Sequence, residues 1–419
     1  MSTTDTLRHA TLEDMVNTLR GQQARKIDLV MPASAMRFRD GNLVVKGLDW
    51  VMDETGATDP NGTYAPTKRA DQTLSDRLNI PGAYLTRMRT ERTNVYDYTL
   101  NQHLGGLRKS DGTYAYEPDG RDFLARLFRG DDGQGGVLRA VLSNKYGIQD
   151  NLDVLMAVLA GINAASAERE AQGLEPLDVQ VRDCDLTDSR MNVSLYSPQV
   201  KAMAPNLLRA YRNPFQVNEE FAAQRGGDAE VEHWRRIAER EGMAYERGQE
   251  PVVFAGFRVR NSEVGDGARC LMPDIWVKIC KNGLTLPLFA DCKTHLGVRM
   301  EAGVWNAEVQ TKETELIVAQ TKQRIQEWLD PAFLADRINE IEALAGKPVT
   351  EPTKKIKALG KTLKWSEAEA DGILAHFTTG GQLTAAGVAN AITSFSQTLT
   401  NADRASDLDD QAVRAMSLV

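Results

Sequence analysis

Cys280, Cys292 and His295 set two thiols and an imidazole in a C-x11-C-x2-H spacing, and Cys270 adds a thiol upstream. These are zinc-ligand types, but no C-x2-C pair accompanies them, and single cysteines commonly behave as small buried hydrophobes. Core packing is the first reading, and no resident metal or cofactor is expected. A Cys/His nucleophile pair is a weaker reading, because no third residue is evident to orient the base.

The segment Asn261-Ser-Glu-Val-Gly-Asp-Gly offers an amide, a hydroxyl and two carboxylates at the end of a strand that carries Arg258 and Arg260 on one face. Two readings stand side by side. The segment is a wide polar turn, or it is a site in which Glu263 and Asp266 hold a divalent ion through oxygen with His295 as general acid/base. Asn282-Gly283 lies between two apolar runs, where a type I′ hairpin turn needs positive φ at both central residues, a demand Asn and Gly tolerate.

The elements that must position these groups follow from periodicity. Residues 11–20 make an amphipathic helix with Thr11 as N-cap, and 151–170 make another with Leu152, Leu155, Met156 and Leu159 on one face. LDVQVRDCDL and RMNVSLYS alternate and are joined by a short polar turn, which predicts an antiparallel hairpin. Further strands are expected in VVFAGFRVR, ARCLMPDIWVKIC and LTLPLFADC. Alternation puts Ile275, Val277 and Ile279 on one face, and Trp276, Lys278 and Cys280 on the other. Helices are expected over 306–328 and 331–345, the second opening on a proline, and over segments beginning at Ser366 and Thr384, with Ser366 and Glu369 forming a capping box.

The chain has 419 residues, 42% hydrophobic and 26% charged, the composition of a soluble globular protein with two or three domains. No apolar run is long enough for a membrane span, and no leader pattern opens the chain. Four cysteines make no disulfide framework, so a reduced, cytoplasmic protein is expected. Net charge is −8, yet residues 251–300 carry seven Lys+Arg against four Asp+Glu. A second basic run joins Lys347, Lys354, Lys355, Lys357, Lys361 and Lys364. P-loop, H-E-x-x-H, G-x-S-x-G and dinucleotide-binding fingerprints are absent.

Taken together, LRAVLSNKYGIQDN (138–151), FAGFRVRNSEVGDGA (254–268), VKICKNGL (277–284), THLGVRMEAGVW (294–305) and TAAGVANAITSFSQ (384–397) resemble the phage/plasmid-like proteins built around domain of unknown function 932. The resemblance implies a phage, plasmid or prophage setting and brings no chemistry with it. It marks Asn261, Ser262, Glu263, Gly265, Cys280, Asn282, Gly283, His295 and Gly297 as positions of one site.

The expected architecture is α+β: a mixed region over 1–120, a central antiparallel sheet packed by long helices over 121–345 with an insertion at about 199–250, and a helical unit over 346–419. The leading functional expectation is non-catalytic nucleic-acid binding, in particular single-strand binding or annealing by a homo-oligomer. Arg258, Arg260, Lys278, Lys281, Lys293 and Arg299 would contact phosphates and Trp276 would stack on a base. The alternatives are an oligomeric interaction protein of a phage, and a metal-dependent enzyme acting on nucleic acid through Glu263 and His295. Whether the chain is an enzyme is left open.

Overall fold

A computed structural model describes residues 5–53, 56–130, 135–208, 252–277, 282–285, 290–295 and 307–419. The fold is α+β, 48% helical and 27% strand, built on two large sheets that are antiparallel apart from one pairing.

The first sheet orders its strands Lys26–Pro32, Asp122–Phe128, Gly136–Ser143, Gly62–Pro66, Asn42–Val45 and Arg37–Arg39. Among the described residues, only the pairing of Gly136–Ser143 with Gly62–Pro66 is parallel in this sheet. Period-two alternation sends Phe123, Ala125 and Leu127 into a core shared with the helices Lys68–Leu78, Gly82–Glu91 and Thr93–Gly105. It sends Leu124 and Arg126 to the opposite face, where Leu124, Ala140 and Leu142 meet Val264. This sheet takes strands up to Ser143, so it does not end at residue 120.

The second sheet runs Leu7–Ala10, Gln180–Leu186, Met191–Met203, Val252–Asn261, Arg269–Val277 and Asn282–Thr285, with Asp291–Lys293 also paired to Arg269–Val277. Its Val193, Leu195, Val253, Phe257, Val259, Leu271, Ile275 and Val277 enter the main core with the helices Leu12–Arg25, Asn151–Ala171, Ala307–Trp328 and Pro331–Ala345. Asn151–Ala171 lies close against Ala307–Trp328 because Gly161 carries no side chain; a Cβ there would come 2.6 Å from Thr321 Cβ.

The C-terminal unit comprises Pro352–Leu363, Glu367–Gly380, Ala385–Ser396, Ala402–Asp409 and Ala412–Ser417. Thr11 and Ser366 each close a full capping box, and Asp330 caps the helix that Pro331 opens. Asn282 and Gly283 differ from expectation. They pair with Val277 and Trp276 as strand residues and are not the two central residues of a turn. Of the expected insertion, residues 209–250 lie outside the described residues, as do Lys278, Cys280, Lys281, Gly297 and Arg299.

Candidate functional site

The 261–267 loop is the seam between the two sheets. Asn261, Ser262 and Glu263 are buried, and each is bound on several sides. Asn261 Nδ2 donates to Gln149 O and Asn151 Oδ1, both at 2.9 Å. Ser262 Oγ donates to Ser189 O and accepts from the Asp266 N–H at 2.8 Å. Gly265 turns the chain at φ +74°.

Glu263 meets Arg139 at 2.6 Å and accepts the Asn151 N–H at 2.6 Å. Arg139 reaches it because a bulge in the pairing of Asp122–Phe128 with Gly136–Ser143 falls at that residue: Arg126 opposes Ala140 and Leu127 opposes Leu138. Arg126, fully buried, donates to Asp28 twice at 2.8 Å, to Asp150 at 2.6 Å and to Glu263 O at 2.8 Å, and Lys26 pairs with Asp150. Burial pushes the Glu263 carboxyl up, but Arg139, Arg126 and Lys26 outweigh it and hold the group down at about 2. Asp266 faces Arg190 at 3.0 Å and Arg69 at 3.3 Å. The metal pair read for Glu263 and Asp266 is therefore corrected: arginines already neutralise both carboxylates.

His295 joins the same seam. Its ring stacks on Tyr146 at 5.0 Å between centroids, and its Nδ1 lies 3.3 Å from Gly147 O. Burial pushes its imidazole down to about 4, so it is neutral near pH 7 and has little capacity as a base. Tyr146 donates to Ser262 O at 2.8 Å. The stretches 138–151 and 254–268 and His295 do come together, in a packed seam from which Asp266 borders a cavity.

Two thiols are accounted for differently from expectation. Cys270 and Cys292, directly opposite in paired strands, form a disulfide, which removes both from any zinc set.

Of the arginines expected on phosphates, Arg258 is buried and Arg260 is partly buried. Arg258 lies between Asp409 at 3.3 Å and Asp274 and Asp410 at 3.8 Å, and Arg260 meets Asp410 at 2.8 Å. Lys293 is half-buried, 3.5 Å from Glu313. Trp276 packs on Tyr196 at 4.1 Å and on Phe254 at 5.6 Å between centroids. Carboxylates of the last helices, far away in sequence, neutralise the two arginines.

Alternation in the second sheet produces a polar face that the sequence reading did not identify. Asp185 sits opposite Asn192, which sits opposite Arg260; Asp183 sits opposite Ser194, which sits opposite Arg258. Asp183, Asp185, Asn192, Ser194 and Arg258, together with Arg8, His9, Arg182, Tyr196, Trp276, Ser406 and Asp409, line a cavity of about 420 Å³. His9 Nδ1 is 2.9 Å from Asp183 Oδ2, and Asp185 accepts the His9 N–H at 2.9 Å and pairs with Arg8. Burial and the neighbouring Asp183 raise the Asp185 carboxyl above its ordinary value. The legible signal was Asp183-Cys184-Asp185 within an alternating strand: one thiol into the core, two carboxylates to the other side.

The second basic run is laid out openly. Ile356, Leu359 and Leu363 of Pro352–Leu363 are buried, while Lys354, Lys357 and Lys361, followed by Lys364 at its C-cap, are exposed. Their i, i+3, i+7, i+10 spacing forms one stripe on the helix. Among the described residues no helix is long and apolar enough to cross a membrane. Comparison with known proteins finds no matching family model, no matching curated protein and no matching solved structure.

Proposed function

We propose that this chain is a non-catalytic nucleic-acid-binding protein of a phage, plasmid or prophage, holding single-stranded DNA on its C-terminal helical unit. The observation that supports the reading is the stripe of Lys354, Lys357, Lys361 and Lys364. At 1.5 Å rise per residue it extends about 15 Å, room for roughly four phosphates of a stacked strand. Its ion pairs are weak competitors: Lys354 with Glu351 at 3.3 Å and Lys357 with Asp371 at 3.9 Å are all more than half exposed. The role passes from Arg258 and Arg260, whose charge is neutralised inside the fold, to lysines that face solvent.

Self-association belongs to the same reading; the cytoplasmic location expected from the sequence meets one contrary observation. The Cys270–Cys292 disulfide argues against a permanently reducing compartment. A gel-shift titration with single- and double-stranded DNA at two salt concentrations tests the proposal. Salt-sensitive binding that prefers the single strand supports it, and binding indifferent to salt counts against it.

A further inference from the structure

The geometry points to a divalent-cation site on His9, Asp183 and Asp185 that takes a phosphate-type oxyanion as its outer ligand. This is independent of the lysine stripe. The three side chains bring one imidazole nitrogen and two carboxylate oxygens within 4.8 Å of one another. The Arg8 guanidinium that pairs with Asp185 lines the same cavity and must give way to the ion. Glu263 and Asp266, by contrast, have no imidazole nitrogen grouped with them among the described residues. A mixed nitrogen and oxygen set of three suits Zn²⁺ or Mn²⁺ and leaves coordination positions open; Ca²⁺ demands six to eight oxygens.

The strand architecture builds this set. Leu7 opposes Leu186 and Ala10 opposes Cys184, so Arg8 and His9 together face the single residue Asp185. That bulge, with His9 at φ 52°, turns the imidazole toward Asp183. Cys184 fills the core behind the two carboxylates.

A second observation asks for an anion beside the cation. Asn192 is 5% exposed, lies opposite Asp185 and lines the cavity, and its Nδ2 has no hydrogen-bond partner. Its orientation is fixed, because Oδ1 accepts from Arg260 Nε at 3.0 Å and from Ser406 Oγ at 3.3 Å; a flipped amide would set donor against donor. Arg258, 3% exposed, and Trp276 also line this cavity, and the Nε of the first and the indole N–H of the second have no acceptor. Buried donors left unpaired on a sheet face are costly, and an oxyanion held on the metal's open positions would satisfy them.

Mn²⁺ titrated into the full-length protein and followed by electron paramagnetic resonance tests the site. The expected result is one tightly bound ion per chain with nitrogen coupling from a single imidazole. His9→Asn, which suits the left-handed backbone, should abolish that coupling and weaken binding at least tenfold, and Asp183→Asn should weaken it similarly. Inorganic phosphate should bind at least tenfold more tightly with Mn²⁺ present than without it, and Asn192→Ala should remove that gain while keeping the ion. If the variants fail to fold, the wild-type spectrum decides: no stoichiometric ion, or a bound ion without nitrogen coupling, overturns the proposal. A bound ion that gives phosphate no advantage overturns its oxyanion half.

Discussion

Glu263 and Arg139 face each other at 2.6 Å across the seam between the two sheets, one supplied by a loop of the second sheet and the other by a bulge in the first. Both are buried, so each neutralises a charge that neither sheet could bury alone. Removing one partner strands the other. Glu263→Gln should lower stability by about 3–5 kcal/mol, measured by urea denaturation. A loss under about 1 kcal/mol would show that the seam does not depend on this pair.

The same carboxylate makes stability depend on acid. Its folded-state value, about 2, lies below the ordinary carboxylate value of 4.5. The unfolded chain therefore takes up the proton first as pH falls, and the contribution present above about 4.5 is lost on the way down to about 2. Acid unfolding of wild type against Glu263→Gln should converge across that window. Parallel curves would contradict the assignment.

His295 acts at milder pH. Its imidazole titrates near 4 in the folded protein against 6.5 in the unfolded chain, so unfolding takes up a proton between those values. Stability should decline as pH falls from about 6.5 to 4, and His295→Phe, which keeps a ring against Tyr146, should flatten that decline. Proton NMR of the imidazole checks the same point, since a ring charged at pH 6 would be incompatible with this burial.

Gly161→Ala tests the closest helix crossing. The new Cβ would meet Thr321 Cβ at 2.6 Å and Val318 O at 2.9 Å, so the two helices must separate. A loss of about 1–3 kcal/mol is expected by calorimetry. An unchanged transition would place the helices farther apart than described.

Cys270 and Cys292 should resist alkylation until reduced, although Cys292 is exposed. Peptide mapping under non-reducing conditions should recover them joined. Prompt alkylation of Cys292 in the unreduced protein would contradict the bridge.

Local signals read well from the sequence. Thr11, Pro331 and Ser366 start helices because a cap needs only its own neighbours. Alternation likewise found the Gln180–Leu186 and Met191–Met203 hairpin. Long-range pairing was not legible. Arg258 and Arg260 read as free cations because Asp409 and Asp410 lie about 150 residues away, and nothing local announces their meeting. Asn282-Gly283 had turn chemistry, but both residues are paired in a strand with Val277 and Trp276. The Asn261–Gly267 loop and His295 were found as one place, yet their burial was not, because polar residues were expected outside. Asp183 and Asp185 passed as ordinary hairpin residues until His9, from the chain's first strand, was brought beside them.

The salt dependence of single-stranded DNA binding, measured for wild type and for the variant Lys354→Gln, Lys357→Gln, Lys361→Gln, Lys364→Gln, tests the central claim most directly. Four phosphate contacts give a slope of about −3 in log affinity against log salt, at roughly −0.7 per contact. The variant, all of whose changes lie on the exposed stripe, should keep its fold and lose most of that slope. Wild-type protein that does not bind, or a folded variant that binds with the wild-type slope, would contradict the assignment of this helix as the DNA-binding surface.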